Sequence, residues 1–327
     1  MTTNVLVIGG AGYIGLHMVK ELLAAGYGVV TLDNLSRGHR ELLPGGEFVE
    51  GDMGDPALLR TLFSRHRFDV VMHFAACSLA GESVRQPLPY YRNNLARTVE
   101  LLDAMIRHNV VRLIFSSTAA VYGEPEHTPI MEDHPCHPAN PYGETKLAVE
   151  HLLRDCAVAH GLRYISLRYF NAAGADISGT LGERHRPETH LIPLLLQVAA
   201  GLRAEIEILG TDYPTVDGTC VRDYVHVSDL AQAHLLALRS LMQHSENMVY
   251  NVGNSRGYSV REVIDTARRI SGHPIPAAAA ARRPGDPAVL IADSSRIRRD
   301  LGWRPRYEDL DSIIKTAWAW HRREHGR

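Results

Sequence analysis

Val5-Leu6-Val7-Ile8-Gly9-Gly10-Ala11-Gly12-Tyr13-Ile14-Gly15 is the stretch from which the rest of the chain is read. An apolar, strand-like run breaks into a glycine-rich loop and passes into an amphipathic helix near His17 to Ala25. Gly10, Gly12 and Gly15 satisfy G-x-G-x-x-G, and Gly9, Gly12 and Gly15 satisfy the wider G-x-x-G-x-x-G spacing. In either register the glycines let the backbone turn tightly and approach a pyrophosphate, whose charge sits at the helix N-terminus. A strand-to-helix turn that merely needs glycine would carry the same letters, so the flanks decide. A second β-like run, Gly28 to Leu32, ends in Asp33, eighteen residues after Gly15. A carboxylate there accepts hydrogen bonds from both ribose hydroxyls and repels a 2′-phosphate, which points to NAD rather than NADP. Arg37 and Arg40 read as exposed loop arginines.

Bulk properties bound the alternatives. The 327 residues suit one large or two fused domains, and 45% hydrophobic residues suffice for a core. A net charge of −2, from 35 basic and 37 acidic residues interspersed, argues against nucleic acid or an anionic membrane as the main partner. Four cysteines, Cys77, Cys136, Cys156 and Cys220, form no C-x-x-C pair and follow no signal peptide, so a cytoplasmic home is expected. No apolar run reaches transmembrane length. The 18 histidines are scattered, and no metal site is expected from them.

Onward from Asp33, Glu47 to Met53 is a short strand ending at Asp52, a candidate partner for the adenine amino group. Pro56 to Arg67 has helical spacing, and Asp69 to Ala76 is a buried strand opening into Phe74, Ala75 and Ala76, small enough in part to let a cofactor lie close. Ser83 is expected to cap a long helical region reaching Ile106, with Pro87 and Pro89 in its irregular start and Asn93 facing the sheet. Val110 to Ser117 is a fifth strand, Pro141 starts a helix running to about His160, and Leu162 to Arg168 is a sixth strand leading to Tyr169, Phe170 and Asn171.

This alternation implies an α/β, Rossmann-type doubly wound parallel sheet with ligands at the carboxyl ends of the strands. The rhythm changes beyond Gly174, so residues 1–174 are expected to bind the cofactor and 175–327 to form a smaller α/β substrate-binding lobe. The strand at Val225 to Asp229 and its helix, within about 223–245, would rejoin the first domain as a seventh unit. Met248 to Val252, Ser259 to Ser271 and Asp309 to His325 would complete the second lobe, and Ala277 to Ala281 reads as a loop or helix cap.

Tyr142-Gly143-Glu144-Thr145-Lys146 places a phenol and an ammonium on one helix face, one turn apart. A free phenol titrates near pH 10 and is a poor base at neutral pH, but a nearby cation favours the phenolate. Y-x-x-x-K alone is common on amphipathic helices; beside a glycine loop, Asp33 and a strand-end hydroxyl at Thr118 it describes alcohol oxidation. Tyr142 would remove the proton, Thr118 would hydrogen-bond the same oxygen, Lys146 would hold the nicotinamide ribose, and the cofactor would carry the redox step. G-x-S-x-G is absent, and no nucleophilic Ser-His-Asp set is legible.

At these residues the chain resembles the extended short-chain dehydrogenase/reductases, most sharply their UDP-glucose (UDP-galactose) 4-epimerase family. The likeness spans nearly the whole chain, through Gly9 to Gly15, Asp33-Asn34-Leu35, Gly51-Asp52, Ser116 to Gly123, Tyr142 to Lys146, Arg168 to Asn171, Asp212 to Thr215, Val221 to Val227 and Arg282 to Pro287. It implies an NAD enzyme acting on a UDP-hexose, pairing as a homodimer through helices near Tyr91 to Arg107 and Asn140 to His160, and a cofactor set that adds Tyr13, Ile14, Asn34, Met53, Asn93, Ser116 and Tyr169.

The resemblance also implies that Arg222 and Arg283 grip the diphosphate, Asp286 the uridine ribose and Asn171 the phosphate or sugar, with Phe170 and Leu191 nearby and Leu290 beside the sugar's C2 substituent. Guanidinium forks suit phosphate oxygens. Ser78 stands where some members have lysine, and His190 where some have asparagine. The sibling 4,6-dehydratases follow the strand-end Thr with Asp-Glu, whereas Ala119 and Ala120 stand here. UDP-pentoses and UDP-N-acetylhexosamines remain alternative substrates, and an NAD-sensing protein on the same fold is the non-enzymatic alternative.

Overall fold

The protein is described by a computed structural model over residues 2–283 and 285–326. In chain order the first half runs β1 (Asn4–Ile8), α1 (Tyr13–Ala24), β2 (Gly28–Asp33), β3 (Glu47–Glu50), α2 (Pro56–Arg65), β4 (Val70–His73), α3 (Ala80–Arg85), α4 (Pro87–Tyr90), a π-helical stretch (Tyr91–Ala96), α5 (Arg97–Arg107), β5 (Arg112–Thr118), α6 (Pro141–His160) and β6 (Arg163–Tyr169). The second half runs β7 (Asn171–Ala173), α7 (Leu191–Ala199), β8 (Ile206–Leu209), β9 (Val221–His226), α8 (Val227–Gln243), β10 (Met248–Val252), β11 (Gly257–Ser259), α9 (Val260–Ser271), β12 (Ala277–Ala280), β13 (Val289–Leu290), α10 (Ser295–Leu301) and α11 (Leu310–Glu324).

Seven strands pair in parallel in the order β10-β6-β5-β4-β1-β2-β3. The two-residue period of β1 explains why both faces are covered. Val5 and Val7 pack with Met18, Val19 and Leu22 of α1 and Leu230 and Leu238 of α8, while Leu6 and Ile8 pack with Leu59 of α2, Leu101 and Met105 of α5 and Val149 and Leu153 of α6. The chain runs outward on opposite sides of β1, to β2 on one and β4 on the other, so a crevice opens at the carboxyl end of the central strands.

Two expectations exchange places. The strand expected at Val225 to Asp229 is instead β9, Val221–His226, with Val227 to Asp229 opening α8, and it does not join the large sheet; β9 is the centre of a small sheet with β7 and β13 in parallel and β11 antiparallel. The seventh strand of the large sheet is instead β10, paired with β6 from Met248↔Ile165 to Val252↔Tyr169. The helix that follows β9 does return, and its Leu230, Ala233 and Leu238 share the core of β1.

Two more local readings change. Ala277–Ala280 is a strand, β12, held in parallel against β8 despite alanine's weak β preference. Ser83 lies inside α3 rather than capping a long helix; its hydroxyl donates to Ala80 O at 2.6 Å and accepts from Tyr142 N at 3.2 Å. The long helical region is broken at Gln86 and again by the π-helical turn, a local widening often found beside functional sites. A third core, of Ile192, Leu195, Tyr224, Tyr258, Val263, Ile313 and Trp318, holds the second lobe together.

Candidate active site

A cavity of about 500 Å³ occupies the crevice, within the usual range for a small-molecule site. On the side of β1 and β2 it is lined by Gly9, Gly12, Tyr13, Ile14, Gly15, Asp33, Asn34, Asp52 and Met53. Gly9, Gly12 and Gly15 line it and Gly10 does not, so the G-x-x-G-x-x-G register is the one presented to a ligand. Gly9 has φ +76°, and a Cβ there would meet Ala75 N at 2.5 Å. Gly12 differs, since a Cβ would meet only Gly9 O, at 3.4 Å. A side chain at Gly12 would therefore fill ligand space rather than protein space, which suits the close approach of a pyrophosphate.

Asp33 is buried at the end of β2 and its two oxygens accept from Ala11 N at 3.0 Å and Leu35 N at 2.8 Å. Burial raises its pKa while those amides pull it back. Arg37 lines the cavity, with Nη1 donating to Arg186 O at 2.7 Å, whereas Arg40 lies over Phe48. Asp52 pairs with Arg97 at 3.1 Å and accepts from Gly54 N at 2.8 Å. Asn93 lines the cavity and accepts from Arg97 at 2.7 Å. The neighbouring Asn94 is the buried one, tying Cys77 N and O to Thr145 Oγ1 at 2.8, 2.9 and 3.0 Å. Phe74, Ala75 and Ala76 complete this wall.

At the middle stand Thr118, Tyr142, Lys146 and Tyr169. Asn140 caps α6 through Gly143 N at 3.0 Å and Pro141 occupies its first turn, so α6 begins where it must for Tyr142 to face the end of β5. Burial raises the Tyr142 pKa, and a hydrogen bond with Thr118 partly offsets it. The expected pull of Lys146 on the phenol does not dominate. Lys146 Nζ donates to Ser116 O at 2.8 Å and lies over the Phe115 ring; burial pulls it down to about 7 against the opposing field of Glu150. Ser116 itself does not line the cavity; it acts from behind, through that carbonyl, while its hydroxyl lies 3.4 Å from His234 Nε2.

The far wall is drawn from both halves of the chain. Ser78, Phe170, Asn171, His190, Arg222, Asp286 and Leu290 line it, whereas Leu191, the first residue of α7, and Arg283 do not. Arg283 meets Asp286 bidentately, at 2.9 Å on each oxygen, and Arg222 Nη2 lies 3.9 Å from the same carboxylate. Register explains the grouping. Parallel pairing sets Leu290 of β13 beside Arg222 of β9, and Asn171 of β7 beside Tyr224 further along the same strand.

The glycine loop with Asp33, the set of Thr118, Tyr142 and Lys146, and the wall bearing Arg222 thus share one cavity. The profile of the NAD dependent epimerase/dehydratase family matches residues 5–253. The chain belongs to that family. It is similar, at 53% identity, to the UDP-glucose 4-epimerase of Halalkalibacterium halodurans, over 98% of this chain and 96% of the relative. It is also similar to a crystal structure of UDP-glucose 4-epimerase from Brucella ovis in complex with NAD, with a TM-score of 0.94 and 50% identity over 97% of this chain and 98% of that one. A third likeness is to UDP-glucose 4-epimerase from Bifidobacterium longum in complex with NAD+ and UDP, with a TM-score of 0.95 and 41% identity over 99% of each. As a member of the epimerase/dehydratase family the protein is an NAD enzyme, and the glycine cradle and Asp33 are the groups that fit the cofactor.

Two features escaped the sequence reading. Behind Tyr142 and Lys146 lies a buried polar chain in which Glu150 accepts from Ser117 and from Arg168 Nε at 3.0 Å, and Arg168 Nη1 donates to Tyr122 OH at 3.0 Å. Its signal was present in the four-residue step from Lys146 to Glu150, which sets both on one face of α6. Second, the histidines are not all isolated: Glu183, His185, Glu188 and His190 bring their ligand atoms within 4.8 Å of one another. The intervals of two, three and two residues were visible, but only the fold of the loop makes them converge.

Proposed function

We propose that this enzyme interconverts UDP-glucose and UDP-galactose by oxidation and re-reduction at sugar C4. The observation that carries the proposal is that Thr118, Tyr142 and Lys146 line the same cavity as the cofactor cradle and the Arg222–Asp286 wall. Tyr142 takes the proton of the 4-hydroxyl, and Thr118 hydrogen-bonds that oxygen so that the phenol and substrate stay aligned. Lys146, anchored on Ser116 O, holds the nicotinamide-ribose side of the junction. Bound NAD supplies a hydride acceptor that later becomes the donor. Arg222, with Arg283 behind Asp286, holds the diphosphate while the 4-keto hexose turns about it and presents its other face. UDP is thus gripped by charge, and the sugar is held loosely enough to turn.

Ala119 and Ala120 both line the cavity and carry no proton-transfer group, so elimination of water at the sugar is disfavoured against epimerisation. Leu290 also lines it, and a leucine there favours plain hexoses with some turnover of N-acetylhexosamines. We infer further a homodimer packed on α5 and α6, supported by the exposed Leu88, Tyr91 and Val99 close to one another in sequence and by Val158 near the end of α6. Cytoplasmic residence is consistent with four free cysteines, and among the described residues no helix is long and apolar enough to cross a membrane. Purified protein given UDP-galactose with no added cofactor or reductant should form UDP-glucose, followed by proton NMR of the anomeric signals. A protein that binds UDP and retains NAD yet leaves UDP-galactose unchanged would refute the proposal.

A further inference from the structure

The loop from Gly182 to His190 is more tightly built than a connector requires. Trp320 Nε1 of α11 donates to Glu183 O at 3.1 Å, and Arg184 ion-pairs with Glu324 at 2.7 Å and with Glu41. On the other side Arg37 donates to Arg186 O at 2.7 Å, His39 Nε2 meets Arg184 O at 2.7 Å, and the ring of His185 stands edge-on to Tyr13 of the glycine loop. The loop therefore bridges α11 to two segments of the cofactor cradle.

Inside it, Glu183 and Glu188 turn inward, with side chains 7% and 5% exposed. Glu183 Oε1 lies 3.1 Å from His185 Nδ1 and 2.5 Å from His190 Nδ1; Glu188 lies 3.7 Å from the first nitrogen and 3.5 Å from the second. His185 Nδ1 is buried among these carboxylates with no partner in hydrogen-bond geometry. Four donors around tetrahedral zinc, at bond lengths of about 2.0–2.2 Å, stand roughly 3.4 Å apart. The shortest His–Glu separations bracket that value, one ligand atom from each residue can be chosen with all four within 4.8 Å of one another, and two neutral imidazoles with two carboxylates carry a charge of −2, matched to a divalent ion. A His₂Glu₂ set suits a borderline cation of the zinc type; magnesium and calcium favour sites made wholly of oxygen.

We propose that Glu183, His185, Glu188 and His190 form a tetrahedral site for a divalent transition-metal ion of the zinc class, which pins this loop over the cofactor cradle. All four protein ligands are supplied by one loop, so the site is structural, with no position left for substrate. His190 binds through Nδ1, leaving its other ring nitrogen for the cavity it lines. Closing the loop at this point ties His185 against Tyr13 and slows the exit of NAD, which a reaction that uses the same cofactor twice per turnover requires.

The test uses the NAD-loaded enzyme, freed of metal by a chelator and titrated with Co²⁺. One equivalent per chain should bind with the visible absorption of tetrahedral cobalt and without the near-ultraviolet thiolate band that any of the four cysteines would produce. His185→Ala/Glu188→Gln should weaken Co²⁺ binding by more than about a hundredfold, beyond the loss usual for outer-shell partners. The metal-free wild type should release NAD severalfold faster on dilution than the zinc-loaded form. No saturable binding, a thiolate band, or unchanged affinity in the double variant would overturn the site; metal binding with NAD release unaltered would overturn the clamp. Circular dichroism and NAD content check that the variant folds, and if it does not, the wild-type cobalt spectrum and NAD release decide. None of these readouts uses the sugar, so they stand apart from the epimerase test.

Discussion

The two walls of the cavity are made by different physics. The cofactor wall is a repeated unit, a parallel strand followed by a turn, so its ligand groups sit at equivalent places at the ends of β1, β2, β4 and β5. The sugar wall has no such repeat. It is assembled from three short strands around β9 and from loops whose polar groups satisfy one another, as where buried Asp223 accepts from Asn254 N, Ser255 N and Ala292 N at 2.8, 3.0 and 3.1 Å. Histidines mark the same contrast. His73 and His234, packed on the large sheet, are driven toward neutrality by burial, down to about 3 and about 4. At His185 in the metal-free loop burial opposes the charge too, but Glu183 and Glu188 outweigh it and push it up to about 10, a proton that a bound cation would displace. A wall built by repetition positions rigidly; a wall built by irregular loops is where specificity can be retuned.

The largest effect expected from that division is at the junction. Tyr142→Phe should lower kcat by roughly 10²- to 10⁴-fold, the range for a general acid–base group, and leave UDP affinity nearly intact by calorimetry. Wild-type turnover in this variant would move the base elsewhere. Next, Arg222→Ala in the sugar wall should do the converse, weakening UDP binding by about ten- to a hundredfold, as losing a charged hydrogen bond of about 1.5–3 kcal/mol implies, with NAD content unchanged. If NAD is lost as well, the walls are not separable.

Leu290 tests how retunable the sugar wall is. Leu290→Ser should raise turnover of UDP-N-acetylglucosamine relative to hexose and Leu290→Tyr should suppress it, each by about 1–3 kcal/mol of discrimination. An unchanged ratio in both would make Leu290 simply a part of the core formed with Phe170 and Ala292. The smallest effect concerns pH. With His234 held near 4 when folded and near 6.5 when unfolded, the unfolded chain binds a proton that the folded one does not as pH falls between those values. Stability should therefore be lost in that window by about 1.4 kcal/mol per pH unit for this histidine. His234→Gln should flatten the pH dependence of urea unfolding by that share, and an identical slope would show that burial does not set its protonation.

What the linear chain determined is what rests on near neighbours. The glycine spacing before α1, Asp33 at the end of β2, and Tyr142 and Lys146 one helical turn apart are all consequences of backbone periodicity acting over a few residues, and each lines the cavity. The resemblance extended that reading to Arg222, Asp286 and Leu290, which β9, β13 and the loop before β13 bring to the opposite wall. Only the tertiary structure decided which strand lies beside which. The sequence marks strands near Val225 to Asp229 and at Met248 to Val252, but a strand's neighbour is chosen by contacts far along the chain, so β10 and not β9 closes the large sheet. The same holds for Ala277–Ala280, whose local preference is overridden by the hydrogen bonds β8 offers, and for the choice of Asn94 over Asn93 as the buried amide. It holds most for Glu183, His185, Glu188 and His190, whose convergence requires a loop bent between α11 and the cofactor cradle, a shape that no local period encodes.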